Sequence, residues 1–150
     1  MMEIRLATIE DAHAIYEIEQ QSFSVPWRLE SVLAELEGAE NKLYMVICEE
    51  NHIVGYAGAW LVYDEGQITN IAILPSARCK GYGSKLTKQL IDECFSRGMH
   101  EIFLEVRISN LAALAMYRNL GFSVKGIRKE YYSEPTEDAY IMSLVSEEIE

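Results

Sequence analysis

Asn70-Ile71-Ala72-Ile73-Leu74-Pro75, followed after Ser76-Ala77 by Arg78-Cys79-Lys80-Gly81-Tyr82-Gly83, is the stretch on which the fold turns. An apolar run ended by proline reads as a buried strand, here Gln67–Leu74. Beyond the glycines, from Gly81 to Arg97, Leu86, Leu90, Ile91, Cys94 and Phe95 fall on one helical face, and Gly98 is a natural stop. Ile102, Leu104 and Val106 then alternate as one buried face of a strand, Glu101–Arg107. Strand, helix, strand in that order makes a βαβ crossover.

The flanks read outward from this unit. Residues 3–7 form a short strand, and Thr8 with Asp11 in the capping-box place starts a helix near 9–20 carrying Ala12, Ile15, Tyr16 and Ile18. A second helix, near 28–37, carries Leu29, Val32, Leu33 and Leu36 and stops at Gly38. Leu43–Glu49 and Ile53–Val62 are strands around a Glu50-Asn51-His52 turn. Asn110 caps a helix that runs to Leu120 and Gly121, and Phe122–Tyr132 and Ala139–Val145 make a last strand pair. The order predicts one α/β (α+β) domain over 1–150: a mixed, mostly antiparallel central sheet packed with helices.

Composition narrows the partners. The 150 residues carry 13 Lys and Arg against 24 Asp and Glu, a formal charge of −11. That balance argues against a domain that holds nucleic acid by phosphate neutralisation, and against docking on an anionic membrane. Three widely spaced cysteines, Cys48, Cys79 and Cys94, with no C-x-x-C pair, point to a reducing compartment. Met1-Met2-Glu3-Ile4-Arg5 has no secretory pattern, so the expectation is cytoplasmic. His13, His52 and His100 show no metal-ligand spacing, and no metal is expected.

Chemistry could live in three places. In Arg78–Gly83, two glycines one residue apart let successive N–H groups point into one concavity, and the following helix adds its own unpaired N–H groups. This is a phosphate cradle, or else a tight turn holding nothing. A dinucleotide fingerprint would need glycine where Leu86 stands, and a P-loop would need Gly-Lys-Ser/Thr where the order is Gly83-Ser84-Lys85. Glu105 is out of character in a strand. Facing a cleft it is a general base, directly or through water; facing outward it is a surface partner of Arg107 or a lysine. Asn110 and Tyr117 lie on one helical face about 10.5 Å apart along the axis, so one elongated ligand could touch both. A phenol keeps its proton at neutral pH and can give it to a leaving thiolate. Taken singly, Asn110 could simply cap and Tyr117 simply pack.

Together with Leu104-Glu105-Val106-Arg107, Ser109-Asn110 through Tyr117 to Leu120-Gly121-Phe122, and the Ile18–Phe23 and Pro26-Trp27 segments, these residues resemble the GNAT N-acetyltransferases. Within that superfamily the likeness is to the RimI type, which acetylates the N-terminal alanine of a small-subunit ribosomal protein. The resemblance runs nearly the whole chain, to Tyr131-Tyr132 and Ala139–Leu144. It implies a GNAT fold with helices on both sheet faces and a V-shaped splay between two parallel strands, where acetyl-CoA lies as cosubstrate. It also implies that Ile71, Ala72 and Ile73 offer backbone groups to the acetyl and pantetheine, and that Arg78, Cys79, Lys80, Gly81, Tyr82, Gly83 and Ser84 hold the pyrophosphate. Asn110 would bond the pantetheine arm, Glu105 would accept a proton and Tyr117, beside the cofactor, would donate one. Phe23, Pro26, Trp27, Tyr131 and Tyr132 would wall the acceptor site, and the partner would be a basic protein N-terminus met by a monomer or weak homodimer. Cys79 and Leu74 depart from the residues the family usually has there. A small amine or an internal lysine is the alternative acceptor, and a CoA-binding module without turnover the alternative class.

Overall fold

The computed structural model describes residues 1–38 and 40–146. Seven strands form one sheet in the order β1-β2-β3-β4-β5-β7-β6, namely β1 (Met2–Leu6), β2 (Lys42–Glu49), β3 (His52–Val62), β4 (Glu65–Ile73), β5 (Glu101–Arg107), β6 (Ser123–Tyr132) and β7 (Glu137–Val145). Every neighbouring pair is antiparallel except β4 and β5. The helices are α1 (Ala12–Ser22), α2 (Leu29–Leu36), α3 (Tyr82–Ser96) and α4 (Leu111–Asn119). The predicted order and fold class hold.

Two cores sit on opposite faces of the sheet. β2 shows why: Leu43, Met45 and Ile47 pack on the α3 side, while Tyr44, Val46 and Cys48 pack with Ile15, Ile18 and Val32 of α1 and α2. A strand buried on both faces reads as a continuous apolar run, as Leu43 to Cys48 does. On α3, Leu86, Leu90 and Cys94 are fully buried, each leucine contributing about 1.5–3 kcal/mol of apolar burial.

Helix ends mostly follow the sequence reading. Thr8 N–H donates to Asp11 Oδ2 at 2.7 Å, but the turn this capping box opens, Ile9–Asp11, is 3₁₀ before α1 proper begins. Gly98 and Gly121 stop α3 and α4 with φ of +92° and +106°. Gly38 follows the Glu37 cap of α2, in the C′ place expected of it. It is not left-handed; a Cβ there would lie 2.9 Å from the Glu35 carbonyl oxygen and 2.8 Å from Cδ of Lys42, so closeness of approach is what calls for glycine.

The parallel seam positions the site. β4 and β5 pair only at Glu65–Gln67 opposite Glu101–Phe103. Just beyond, the register of β3 against β4 passes from Ala59–Ile68 to Gly58–Asn70, leaving Thr69 as an extra residue. Such a bulge bends the strand that carries it. β4 therefore parts from β5 at this point, and its backbone groups on that side have no strand opposite them.

Candidate active site

The splay opens a cleft of about 890 Å³, with Ile68 to Ile71 of β4 on one side and Leu104 to Arg107 of β5 on the other. A second cleft of about 490 Å³ continues along Ile71–Ile73 to Arg78, Cys79, Gly81, Tyr82 and Gly83. Asn110, Phe23 and Met116 line both, so the two form one path from loop to sheet.

At the loop end, Gly81 is the N-cap of α3 with φ +78°, and no side chain caps the helix. The first helical bond runs from Lys85 N–H to the Gly81 carbonyl, which leaves the N–H groups of Tyr82, Gly83 and Ser84 without helical partners. A Cβ added at Gly81 would meet nothing within 4 Å, and one at Gly83 nothing nearer than Met116 Sδ at 3.8 Å. The groups presented here are backbone N–H donors at a helix N-terminus, the chemistry that receives an anion.

The side chains of this loop behave differently from the sequence reading. Lys80 does not line the cleft: its Nζ donates to Glu49 Oε2 at 2.8 Å, and Tyr82 OH donates to the same oxygen at 2.6 Å. Those two donors hold the Glu49 carboxyl below its ordinary range, and Glu49 in turn raises Lys80. Arg78 Nε donates to the Ile73 carbonyl at 2.9 Å and so ties the loop to the end of β4. Ser84 is exposed on the first turn of α3 and lines neither cleft by its side chain. Cys79 is exposed with φ +65°, so its part in the loop is a backbone conformation.

In the wider cleft, Glu105, Asn110 and Tyr117 come together. Glu105 faces inward, its carboxylate 13% exposed, accepting from Gln67 Nε2 at 2.8 Å on Oε1 and facing Arg128 Nε at 3.3 Å on Oε2. Arg107, the neighbour expected as its surface partner, instead pairs with Glu137 at 3.2 Å, stacks on the Tyr132 ring at 4.4 Å and donates to the carbonyls of Ser133 and Pro135. Asn110 does cap α4, accepting from Ala113 N–H at 3.1 Å, and still turns into both clefts. Tyr117 is buried against Phe122, and burial pushes its phenol up to about 12. Its hydroxyl has no hydrogen-bond partner among the described residues.

Aromatic walls close the cleft. Phe23 and Trp27 line it from the segment after α1, Tyr131 and Tyr132 from the last hairpin, and the two tyrosines meet edge-on with centroids 5.0 Å apart. Pro26 stands beside the cleft without lining it, and Ser24 and Val25 take its place. Sequence reasoning missed Glu19, Asn70 and Arg128 as cleft-facing or cleft-linked side chains. Glu19 alone carried a usable signal: it falls four residues after Ile15 on the buried face of α1. Among the described residues no group of His, Cys, Asp and Glu could hold a metal ion, and no helix is long and apolar enough to cross a membrane.

The chain is similar to known proteins over most of its length. Residues 12–122 match the family model described as the acetyltransferase (GNAT) family. An Escherichia coli protein named ribosomal protein bS18-alanine N-acetyltransferase is 39% identical over 136 residues, 89% of this chain and 90% of its own. A Haemophilus influenzae protein of the same name is 39% identical over 136 residues, covering 89% and 91%. The crystal structure of the ribosomal-protein-S18-alanine N-acetyltransferase from Escherichia coli superposes with a TM-score of 0.88 at 33% identity, over 100% of this chain and 99% of that one. With that match over most of its length, the chain belongs to the GNAT family and is an acetyltransferase.

Proposed function

We propose that this enzyme transfers the acetyl group of acetyl-CoA to the α-amino group of a protein N-terminus, the alanine of the small-subunit ribosomal protein bS18. The observation that carries the reading is a single cleft lined by Glu105, Tyr117 and the unpaired edge of β4, walled by aromatic side chains. The relatives that bear the bS18-alanine name support the choice of acceptor.

The loop from Arg78 to Ser84 would hold the pyrophosphate through the backbone, and Asn110 Nδ2, free of the cap bond, would meet the pantetheine arm. Acetyl-CoA supplies a thioester carbonyl. Glu105 takes a proton from the incoming ammonium, whose ordinary pKa lies near 7.7–8.0, directly or through water. The freed amine forms the C–N bond as the C–S bond breaks. Charge growing on the carbonyl oxygen is met by a backbone N–H of the 71–73 stretch, and Tyr117 gives its proton to the departing sulfur. The second proton of the new amide nitrogen passes through water to restore the phenol, while Glu105 releases its own to solvent. Amine nitrogen goes directly to acetyl carbon, so Cys79 has no nucleophilic task. The acidic chain favours a basic peptide on the acceptor side.

The test is acetyl transfer from acetyl-CoA to an Ala-starting basic peptide, beside an α-N-blocked copy that contains lysine. Transfer to the free terminus, lost in Glu105→Gln and Tyr117→Phe, is expected. Preferential acetylation of the blocked copy overturns the acceptor assignment. Wild type as inert as both variants, with CoA still bound, overturns catalysis.

A further inference from the structure

Glu19 is a carboxylate that the proposed chemistry leaves without a task. It sits near the end of α1 at 1% exposure and borders the cleft. Arg5, Lys42 and Arg128 each neutralise a carboxylate of this domain, yet Glu19 has no ion-pair partner among the described residues. A charged group so buried is kept only where hydrogen bonds satisfy it.

Those bonds come from three different elements. The Trp27 backbone N–H donates to Oε1 at 2.8 Å. Asn70 Nδ2 donates to Oε2 at 2.6 Å, and the Tyr56 hydroxyl donates to the same oxygen. Trp27 belongs to the aromatic wall, and it leans edge-on against Tyr44. Asn70 follows the Thr69 bulge and lies on the edge of β4 that β5 leaves unpaired beyond Gln67. One carboxylate thus spans the gap between the acceptor wall and the strand that faces the acetyl group.

We infer that Glu19 is a positioning residue for the acceptor, fixing where a peptide terminus lies relative to β4. This rests on reading the cleft as the seat of a protein N-terminus. Donor counting makes the inference specific. Glutamine at this position offers one acceptor and one donor pair. If its oxygen keeps the Trp27 N–H, its NH₂ confronts the Asn70 NH₂ and the Tyr56 hydroxyl, so Asn70 must turn over. Tyr56→Phe removes the hydroxyl that donates to Glu19 and accepts from Asn70 Nδ2 at 3.0 Å, and leaves the Trp27 and Asn70 bonds to Glu19 in place.

Glu19→Gln and Tyr56→Phe are compared with wild type by steady-state kinetics in each substrate and by thermal melting. Expected is a rise in peptide KM of about tenfold or more in Glu19→Gln, with acetyl-CoA KM within about twofold and melting close to wild type. Tyr56→Phe falls between that variant and wild type. In the free protein, the Asn70 side-chain amide resonances shift in Glu19→Gln. Wild type active on the peptide with Glu19→Gln unchanged in peptide KM overturns the inference alone. So does a parallel rise in both KM values that tracks lost stability, which marks a merely structural residue. Wild type inert on any free terminus overturns the reading beneath it, and the inference with it.

Discussion

Arg128 Nε stands 3.3 Å from Glu105 Oε2, joining the proposed proton acceptor on β5 to a side chain of the edge strand β6, two places across the sheet. The pair is unequal: the arginine is 56% exposed and the glutamate 13%. Exposed partners contribute little, about 0–1 kcal/mol. Glu105→Gln, which keeps a contact for Gln67 but cannot accept the proton, is expected to lower kcat about 10²–10⁴-fold. Arg128→Met is expected to stay within several-fold of wild type. Equal losses in steady-state assays would give Arg128 a part of its own.

Burial places Tyr117 at about 12, above the ordinary phenol value near 10. Its proton therefore stays in place through the working range, and kcat should show no basic limb from this group below about pH 10. The same shift has a stability sign. The native state holds the proton more tightly than the unfolded chain, so the contribution is intact below about pH 10 and is lost as pH climbs through 12. Tyr117→Phe should cut kcat about 10²-fold or more while melting like wild type at pH 7, and should lose less stability on raising the pH from 9 to 11. Urea titrations at the three pH values check the second half.

Gly81 and Gly83 separate folding from binding. Gly81 has φ +78°, where an L side chain is strained by about 1–2 kcal/mol. Gly83 has ordinary helical φ, and a methyl there meets Met116 Sδ at 3.8 Å and Ile73 Cγ1 at 3.9 Å, both comfortable contacts. Gly83→Ala should therefore fold as well as wild type, yet raise acetyl-CoA KM about tenfold by filling the cradle. Gly81→Ala should lose stability as well. Calorimetry of CoA binding beside thermal melting distinguishes them.

Arg5 grips Asp11 through Nη1 and Nη2 at 2.8 and 3.1 Å, and with the Thr8 N–H at 2.7 Å it holds that carboxyl below its usual range. A lowered native pKa stabilises above the unfolded value, near 3.9, and the stabilisation fades as pH falls. Arg5→Met should destabilise by about 1–2 kcal/mol at pH 7, with the gap to wild type narrowing toward pH 3. Urea unfolding at both pH values measures it.

Local patterns were what the chain spelled out. The run into Pro75, the paired glycines, the alternation of Ile102, Leu104 and Val106 and the Asn110 cap each rest on neighbours within a few residues, and each element stands where read. What stayed hidden depends on partners far apart in sequence. Lys80 reads as a phosphate ligand, and its pairing with Glu49, thirty-one residues earlier, has no local mark. Glu105 reads against Arg107, its neighbour, when its cation comes from the last hairpin. The bulge at Thr69 leaves no local mark, because it exists only in the register against β3. Glu19 hid among the polar residues of α1, although the step from Ile15 places it inward.

The two halves of the sheet are joined by a short stitch, the three-rung seam between β4 and β5. A thioester cosubstrate lying along the free edge of β4 would occupy the place of the missing rungs and act as a strand of non-peptide material. Ligand binding and sheet completion are then the same event. The melting temperature becomes a gauge of free acetyl-CoA, rising with the logarithm of its concentration over Kd.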